Sequence, residues 1–373
     1  MASYWLEEPS APVASRPLEG RADVEIVGGG VTGCSCALTL ARAGLRVRVH
    51  EAREIASGAS GRNGGFALRG GSMPYHEAAA TLGRDTAARL WRLTEDGLRT
   101  LSAYAGDAFT LTGSLRLAAD GDELLSVQAE HDALLADGFA VEWIEPLPPQ
   151  LARFRGGFRH VGDGAIHPAR WVRRLAAQAV EAGAELRERS RVERLDDLEA
   201  ATVVVATDGY TRDLVPEVDA AVGPIRNQVV VTEPLDELLF PLPHYARHGY
   251  DYWQQLSDGR LVVGGRRDAA LEEEATAEEA VTAAIQSRLE ELVAALLGRV
   301  PAITHRWAGI FGSSADGLPL AGRLPVRDGV WVALGYAGHG NVLGLVCGDL
   351  VARAILGEEP PELALFDPAR ALG

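Results

Sequence analysis

Between residues 22 and 51 the chain spells a strand, a glycine turn, a helix and a second strand, which leaves few folds open to it. Ala22-Asp23-Val24-Glu25-Ile26-Val27 stops at Gly28-Gly29-Gly30, a helical stretch runs from Val31 to Ala43, Gly44 ends it, and Leu45-Arg46-Val47-Arg48-Val49-His50 is the next strand. The spacing Gly28-x-Gly30-Val31-Thr32-Gly33, with Glu51 eighteen residues beyond Gly33, predicts a dinucleotide-binding βαβ unit. Gly28 permits the tight turn, Gly30 lets a pyrophosphate approach the backbone, and Gly33 allows close helix packing. The positive end of the helix dipole faces the phosphates. Glu51, followed by Ala52 and Arg53, is placed to accept from ribose hydroxyls and would repel a 2′-phosphate, which disfavours NADP. A bare unit of this kind does not separate NAD from FAD.

The rest of the chain gives a second domain. Its 373 residues are a soft argument for two. Residues 1–21, rich in Pro and Ser, read as an extended arm. From 77 to 137 the pattern is helical and charged, broken by the strand Gly113–Leu117, and another helix starts near Ala169, where His167 and Pro168 mark its beginning. After the apolar strand Ala201–Ala206, residues 222–265 alternate as antiparallel strands do. Residues 269–297 form an acidic helical segment in which Glu272-Glu273-Glu274 reads as a solvated face. A strand at Val330–Leu334, a glycine turn and a helix from Asn341 to Leu356 close the pattern. The fold class expected is α/β, a nucleotide domain interrupted by a second α+β domain with a mixed, largely antiparallel sheet.

Charge and composition narrow the function. With 36 basic against 52 acidic residues, a net charge of −16 and no basic cluster, a nucleic-acid partner is not expected. All the basic residues outside the nine His are Arg, so lysine Schiff-base chemistry is excluded. Cys34, Cys36 and Cys347 form neither an even disulfide framework nor a metal-ligand spacing, so no metal site is expected. No secretory signal or membrane-length apolar run is visible, which points to the cytoplasm.

A second glycine-rich run, Ser57-Gly58-Ala59-Ser60-Gly61-Arg62-Asn63-Gly64-Gly65-Phe66, follows directly on the βαβ unit and can lay backbone N–H groups along a pyrophosphate and a flavin ring. Together with Ser3-Tyr4-Trp5, Ala206-Thr207-Asp208-Gly209-Tyr210-Thr211 and Gly335-Tyr336-Ala337-Gly338-His339-Gly340, it resembles the FAD-dependent amine and amino-acid oxidases of the D-amino-acid oxidase superfamily, in particular the γ-glutamylputrescine-oxidase-like branch. The resemblance spans nearly the whole chain. It implies a Rossmann-like FAD-binding domain from 1–80, 151–221 and 306–373, and a substrate domain from 81–150 and 222–305. It also assigns FAD contacts to Ala59, Ser60, Arg62, Asn63, Gly64 and Gly65, to the Val192 backbone, to Ala206, Thr207 and Gly209, and to Gly309. Gly338, His339, Gly340, Asn341 and Val342 open the last helix, whose start, the resemblance implies, faces the flavin N1 and C2 carbonyl. The family usually has Asn at position 208. Where some members carry a cysteine thioether to FAD, this chain has Gly309 and no thiol nearby, so non-covalent FAD is expected.

The same resemblance implies oxidation of a C–N bond to an imine by hydride transfer to flavin N5, on a small-molecule amine or amino compound. Tyr252, Trp253, Gln254 and His339 are the candidate catalytic residues. Gln254 stands where relatives acting on amino acids often carry a carboxylate-binding Arg, which favours an amine or N-substituted substrate; Arg62, Arg226, Arg266 and Arg306 are further anion-binding candidates. O2 is the acceptor expected, although the Lys that activates oxygen in sarcosine-oxidase-like members has no counterpart. The alternatives are an amino-acid dehydrogenase passing electrons to a quinone or carrier, and a non-catalytic FAD-binding subunit.

Overall fold

The computed structural model describes residues 3–9 and 13–372. The strand Val24–Val27 is buried along its whole length, as a strand covered on both faces must be. It lies inside a six-stranded sheet in the order Leu320–Arg323, Val330–Leu334, Thr202–Val205, Val24–Val27, Val47–His50, Glu185–Arg187. All neighbours are parallel except the pair Leu320–Arg323 and Val330–Leu334. Helix Val31–Arg42 packs between Pro168–Glu181 and Gly340–Ile355, and the long helix Arg84–Ala105 lies against the last of these. Because Val24–Val27, Thr202–Val205 and Val330–Leu334 run in one direction, the loops that follow them meet at one edge of the sheet, where open α/β sheets bind ligands.

Across the parallel strands one register row reads Glu25, Arg48, Glu185. The Arg48 guanidinium reaches Glu185 at 2.7 Å and Glu25 at 3.3 Å, with all three side chains buried.

The second sheet has eight strands, ordered Ile303–Ser314, Val222–Pro234, Arg260–Gly265, Asp251–Gln255, His244–Ala246, Ser114–Ala118, Gly156–His160, Val141–Trp143. Helix Ala283–Leu297 seals one face of it by packing Ile285, Leu289 and Val293 against Trp253, Leu261 and Val263. Two of the expected domain borders fall inside this sheet: Gly156–His160 belongs to it although it lies past residue 150, and Ile303–Ser314 crosses the 305/306 border. Residues 1, 2, 10–12 and 373 of the expected segments lie outside the described residues.

Asp208 bolts the two sheets together. Its backbone is left-handed at φ 48°, and its carboxylate accepts from Gly335 N at 2.8 Å and from Gly312 N at 2.9 Å. The amide of an Asn has one acceptor oxygen, so a carboxylate suits this double acceptance. Burial raises the Asp208 pKa against those amide bonds.

The acidic segment differs from its sequence reading. Only Leu271–Glu274 and Ala283–Leu297 are α-helical, and Glu274 is buried, paired with Arg226 at 2.8 Å, while Glu272 and Glu273 are exposed. A helical period cannot show that one of three adjacent carboxylates meets a buried cation from another strand. His167 does cap its helix: its ring accepts from Arg170 N at 3.2 Å.

Candidate active site

The first glycine loop is shaped by close approach. A Cβ on Gly33 would stand 1.9 Å from Gly28 O, so only glycine lets the helix sit this close to the turn. A Cβ on Gly30 would stand 2.8 Å from Ser60 Oγ, and Ser60 Oγ accepts from Val31 N at 3.0 Å. The helix begins at Gly30 with no capping bond from that residue, so first-turn donors remain for a phosphate. Glu51 is fixed at the end of its strand: its two oxygens accept from Gly29 N and Arg53 N, each at 2.8 Å. A carboxylate has about four lone-pair sites, so it can still accept from a ribose. The Arg53 side chain turns to Glu279 at 2.8 Å. Val192 is half-buried beside the apolar cluster of the adjoining loop.

The second glycine run is tied down on every side. Trp5 Nε1 donates to Asn63 O at 2.8 Å, Ser3 Oγ to Gly61 O at 2.6 Å, and Trp307 Nε1 to Arg62 O at 2.8 Å. Asn63 Oδ1 accepts from Gly65 N at 2.9 Å, while Asn341 Nδ2 donates to Phe66 O at 2.7 Å. This links the run to the start of the last helix. That helix, Gly340–Ile355, also begins without a side-chain cap. His339 Nδ1 has no hydrogen-bond partner among the described residues, and burial lowers its pKa, so the ring is neutral at neutral pH.

These loops enclose one cavity of about 520 Å³. Of the expected cofactor residues, Gly30, Val31, Thr32, Ala59, Ser60, Arg62, Asn63, Gly64, Ala206, Gly309 and Gly338 to Val342 form its wall. Gly28, Gly33, Glu51, Ala52, Arg53, Gly65, Val192, Thr207 and Gly209 stand behind or beside it. Two helix starts with donors to spare, joined by a glycine-lined cradle, are the shape that a dinucleotide with a flavin ring requires.

The opposite wall is the eight-stranded sheet. One register row across it reads Gly264, Tyr252, Tyr245, Arg116, Phe158. Tyr252 and His339 thus face the cavity, whereas Trp253, one residue on, points to the other side, stacked on Phe154 and His244. Gln254 does not reach the cavity either: its Nε2 donates to the carbonyls of Gly64 and Gly65, the latter at 3.0 Å, so it holds the flavin loop. Trp253 and Gln254 therefore do not touch the space where a substrate would sit. The four arginines singled out are committed elsewhere, Arg226 to Glu274, Arg266 to Asp251, Arg306 to Glu290, and Arg62 to the carbonyls of Ser57 and Ala308.

Sequence reasoning missed Arg267. Its guanidinium lies over the rings of Tyr250, 4.7 Å from the centroid, and Phe311, at 5.8 Å, on the cavity wall, and makes no hydrogen bond or ion pair among the described residues. The signal was present in Gly264-Gly265-Arg266-Arg267, where Arg266 adopts the left-handed conformation at φ 60° and turns the chain off the strand.

The chain belongs to the FAD dependent oxidoreductase (DAO) family, whose model matches residues 23–354. It is similar to the probable oxidoreductase OrdL of Rhizobium meliloti (strain 1021), 31% identical over 94% of this chain and 86% of that protein. The γ-glutamylputrescine oxidoreductase of Escherichia coli (strain K12) is 27% identical over 90% of this chain and 84% of its own. Among solved structures, the glycine oxidase of Geobacillus kaustophilus superposes with a TM-score of 0.78 at 25% identity, covering 95% of this chain and 100% of that one. The protein is an FAD-dependent oxidoreductase of the amine and amino-acid oxidase type. No helix among the described residues is long and apolar enough to cross a membrane.

Proposed function

We propose that this enzyme oxidises the C–N bond of an amine or N-substituted amino compound to an imine, with O2 as the final acceptor, in a reducing cytoplasmic setting. Bound FAD supplies the acceptor for the hydride at its N5. The observation that carries the reading is the cavity wall itself: an uncapped helix start with a neutral His339 faces Tyr252, Phe66 and Phe311 across one space. The donors of that helix start favour negative charge at the flavin edge without a cationic side chain.

The chain's residues position and exclude. The Tyr252 ring meets Phe66 edge-on with centroids 5.6 Å apart, which gives a dry surface on which an uncharged amine can rest. A substrate amine that enters neutral already has the nitrogen lone pair that hydride loss requires, so no protein base is needed. Arg267 supplies a cation on the same wall, available to a substrate anion or to an oxygen species taking up electrons. In this reading the six-stranded sheet carries the FAD half and the eight-stranded sheet the substrate half.

The test is anaerobic reduction of the holoenzyme by a panel of amines, N-alkyl amino acids and α-amino acids, followed by admission of air. Bleaching by amines and fast reoxidation in air are expected. Bleaching with no reoxidation in air would make it a dehydrogenase serving a carrier, and no bleaching by any compound would overturn the reading.

A further inference from the structure

Four successive carbonyls of the second glycine run, those of Gly61, Arg62, Asn63 and Gly64, each accept from a side chain that another element brings: Ser3 Oγ, Trp307 Nε1, Trp5 Nε1 and Gln254 Nε2. All four side chains are buried and none of them lines the cavity, so the carbonyls turn away from it. A trans peptide points its C=O and the following N–H in opposite directions, so a carbonyl fixed on one side fixes a donor on the other.

The N–H groups thus fixed belong to Arg62, Asn63, Gly64 and Gly65. Two of them are spent: Arg62 N donates to Ala59 O at 3.2 Å, and Gly65 N to Asn63 Oδ1 at 2.9 Å. The N–H groups of Asn63 and Gly64 donate to nothing among the described residues, and both residues form the cavity wall. Adjacent N–H groups left free in this way make a concavity for an acceptor atom. It lies where the cradle meets the substrate sheet: Asn341, at the start of the last helix, donates to Asn63 Oδ1 at 3.3 Å, and a Cβ on Gly64 would stand 2.7 Å from the Tyr252 ring.

We propose that Trp5 and Trp307 are positioning residues that set the flavin's electron affinity: by holding the carbonyls of Asn63 and Arg62 they aim the N–H groups of Gly64 and Asn63 at a carbonyl oxygen of the flavin ring and raise its reduction potential. A ring carbonyl gains negative charge when the flavin takes up a hydride, so donors aimed at it bind the reduced ring more tightly than the oxidised one. Neither indole touches the cavity. Without the Trp5 donor the Asn63–Gly64 peptide is free to turn, because Gly64 has no Cβ to oppose the rotation, and its N–H leaves the cavity wall.

The experiment is a redox titration of the holoenzyme against dyes of known potential, with FAD titration of the apoprotein beside it. Neither measurement needs a substrate, so the outcome is independent of the amine reading. Trp5→Phe keeps a ring to meet Tyr4 and His167 edge-on and removes the donor. It should lower the preference for reduced over oxidised flavin by about tenfold, which is about 30 mV for a two-electron couple, and Trp307→Phe should act in the same direction. Ser3→Ala removes a donor whose paired N–H is already spent on Ala59, and Tyr4→Phe removes only the arm's bond to Asp258 at 2.9 Å. Both should leave the potential unchanged, even where FAD binds more weakly. For a variant that retains too little flavin, the ratio of the apoprotein's affinities for reduced and oxidised FAD gives the same quantity. Potentials of Trp5→Phe and Trp307→Phe equal to the parent's, with FAD weakened alike in both redox states, would overturn the proposal and leave the indoles as braces. A Ser3→Ala shift as large as that of Trp5→Phe would overturn it too.

Discussion

Gly264 faces Tyr252 in the same register row, and a Cβ on it would lie 2.2 Å from the phenol oxygen. A Cβ on Gly64 would lie 2.7 Å from Cε2 of the same ring. The ring thus packs closely on both a strand glycine and a flavin-loop glycine. Gly264→Ala should press Tyr252 onto Gly64, at a cost of about 1 to 3 kcal/mol for overpacking. Lower flavin occupancy of the purified variant, together with a higher KM, is the expected outcome. Unchanged occupancy and KM would show that the ring has room to move.

Glu51→Arg should impair FAD retention. The substitution strands the amides of Gly29 and Arg53 and puts a cation where a ribose hydroxyl needs an acceptor, about 1 to 3 kcal/mol for each lost partner. Dialysis of the variant should release flavin that the parent keeps.

Flavin should leave the denatured protein entirely. Cys34, Cys36 and Cys347 are all free and fully buried, and burial pushes their thiols well above the usual range, so none is a nucleophile toward a flavin methyl. Acid precipitation followed by inspection of the pellet checks this; a yellow pellet would contradict it.

Asp163 gives a pH signature. Burial pushes it up to about 6, against Arg69 and the Ser114 hydroxyl that donates to it at 2.6 Å. The folded state therefore keeps a proton that the unfolded chain loses near pH 4, so this group's contribution to stability falls as pH rises from about 4 to about 6 and is level above. Asp163→Asn keeps an acceptor for Arg69 N and a donor toward Ser114. The difference in Tm between parent and variant should change across that window and stay constant from pH 7 to 8. A constant difference at every pH would show that folding leaves the Asp163 pKa where it is in the unfolded chain.

How much was legible follows from the range of each interaction. The βαβ unit, the Pro168 helix start and the last helix were readable because each is written within about twenty residues by local pattern. The role of Trp5 was not, because its partner Asn63 is 58 positions away and the contact depends on how the arm folds back. Strand alternation was visible in Tyr252-Trp253-Gln254, but which face meets the cavity depends on pairing with His244–Ala246 and Arg260–Gly265. Arg116 and Glu130 meet because the helix Gly121–Ala136 packs back on the strand before it, a tertiary contact that no local period shows. The sequence singles out Glu51 as a ribose acceptor, but its two backbone partners are not written in the local pattern.

The row Glu25, Arg48, Glu185 constrains how the nucleotide sheet can be assembled. A slip of one residue in either strand pairing would turn a paired charge out of line and leave a lone ion in the interior, a fault of several kcal/mol. Misaligned sheets are thereby disfavoured relative to the native register. The glycine turn and the Asp208 bolt are delivered to the cofactor in a single alignment, so an error in strand pairing yields an unfolded chain rather than a folded one with a spoiled site.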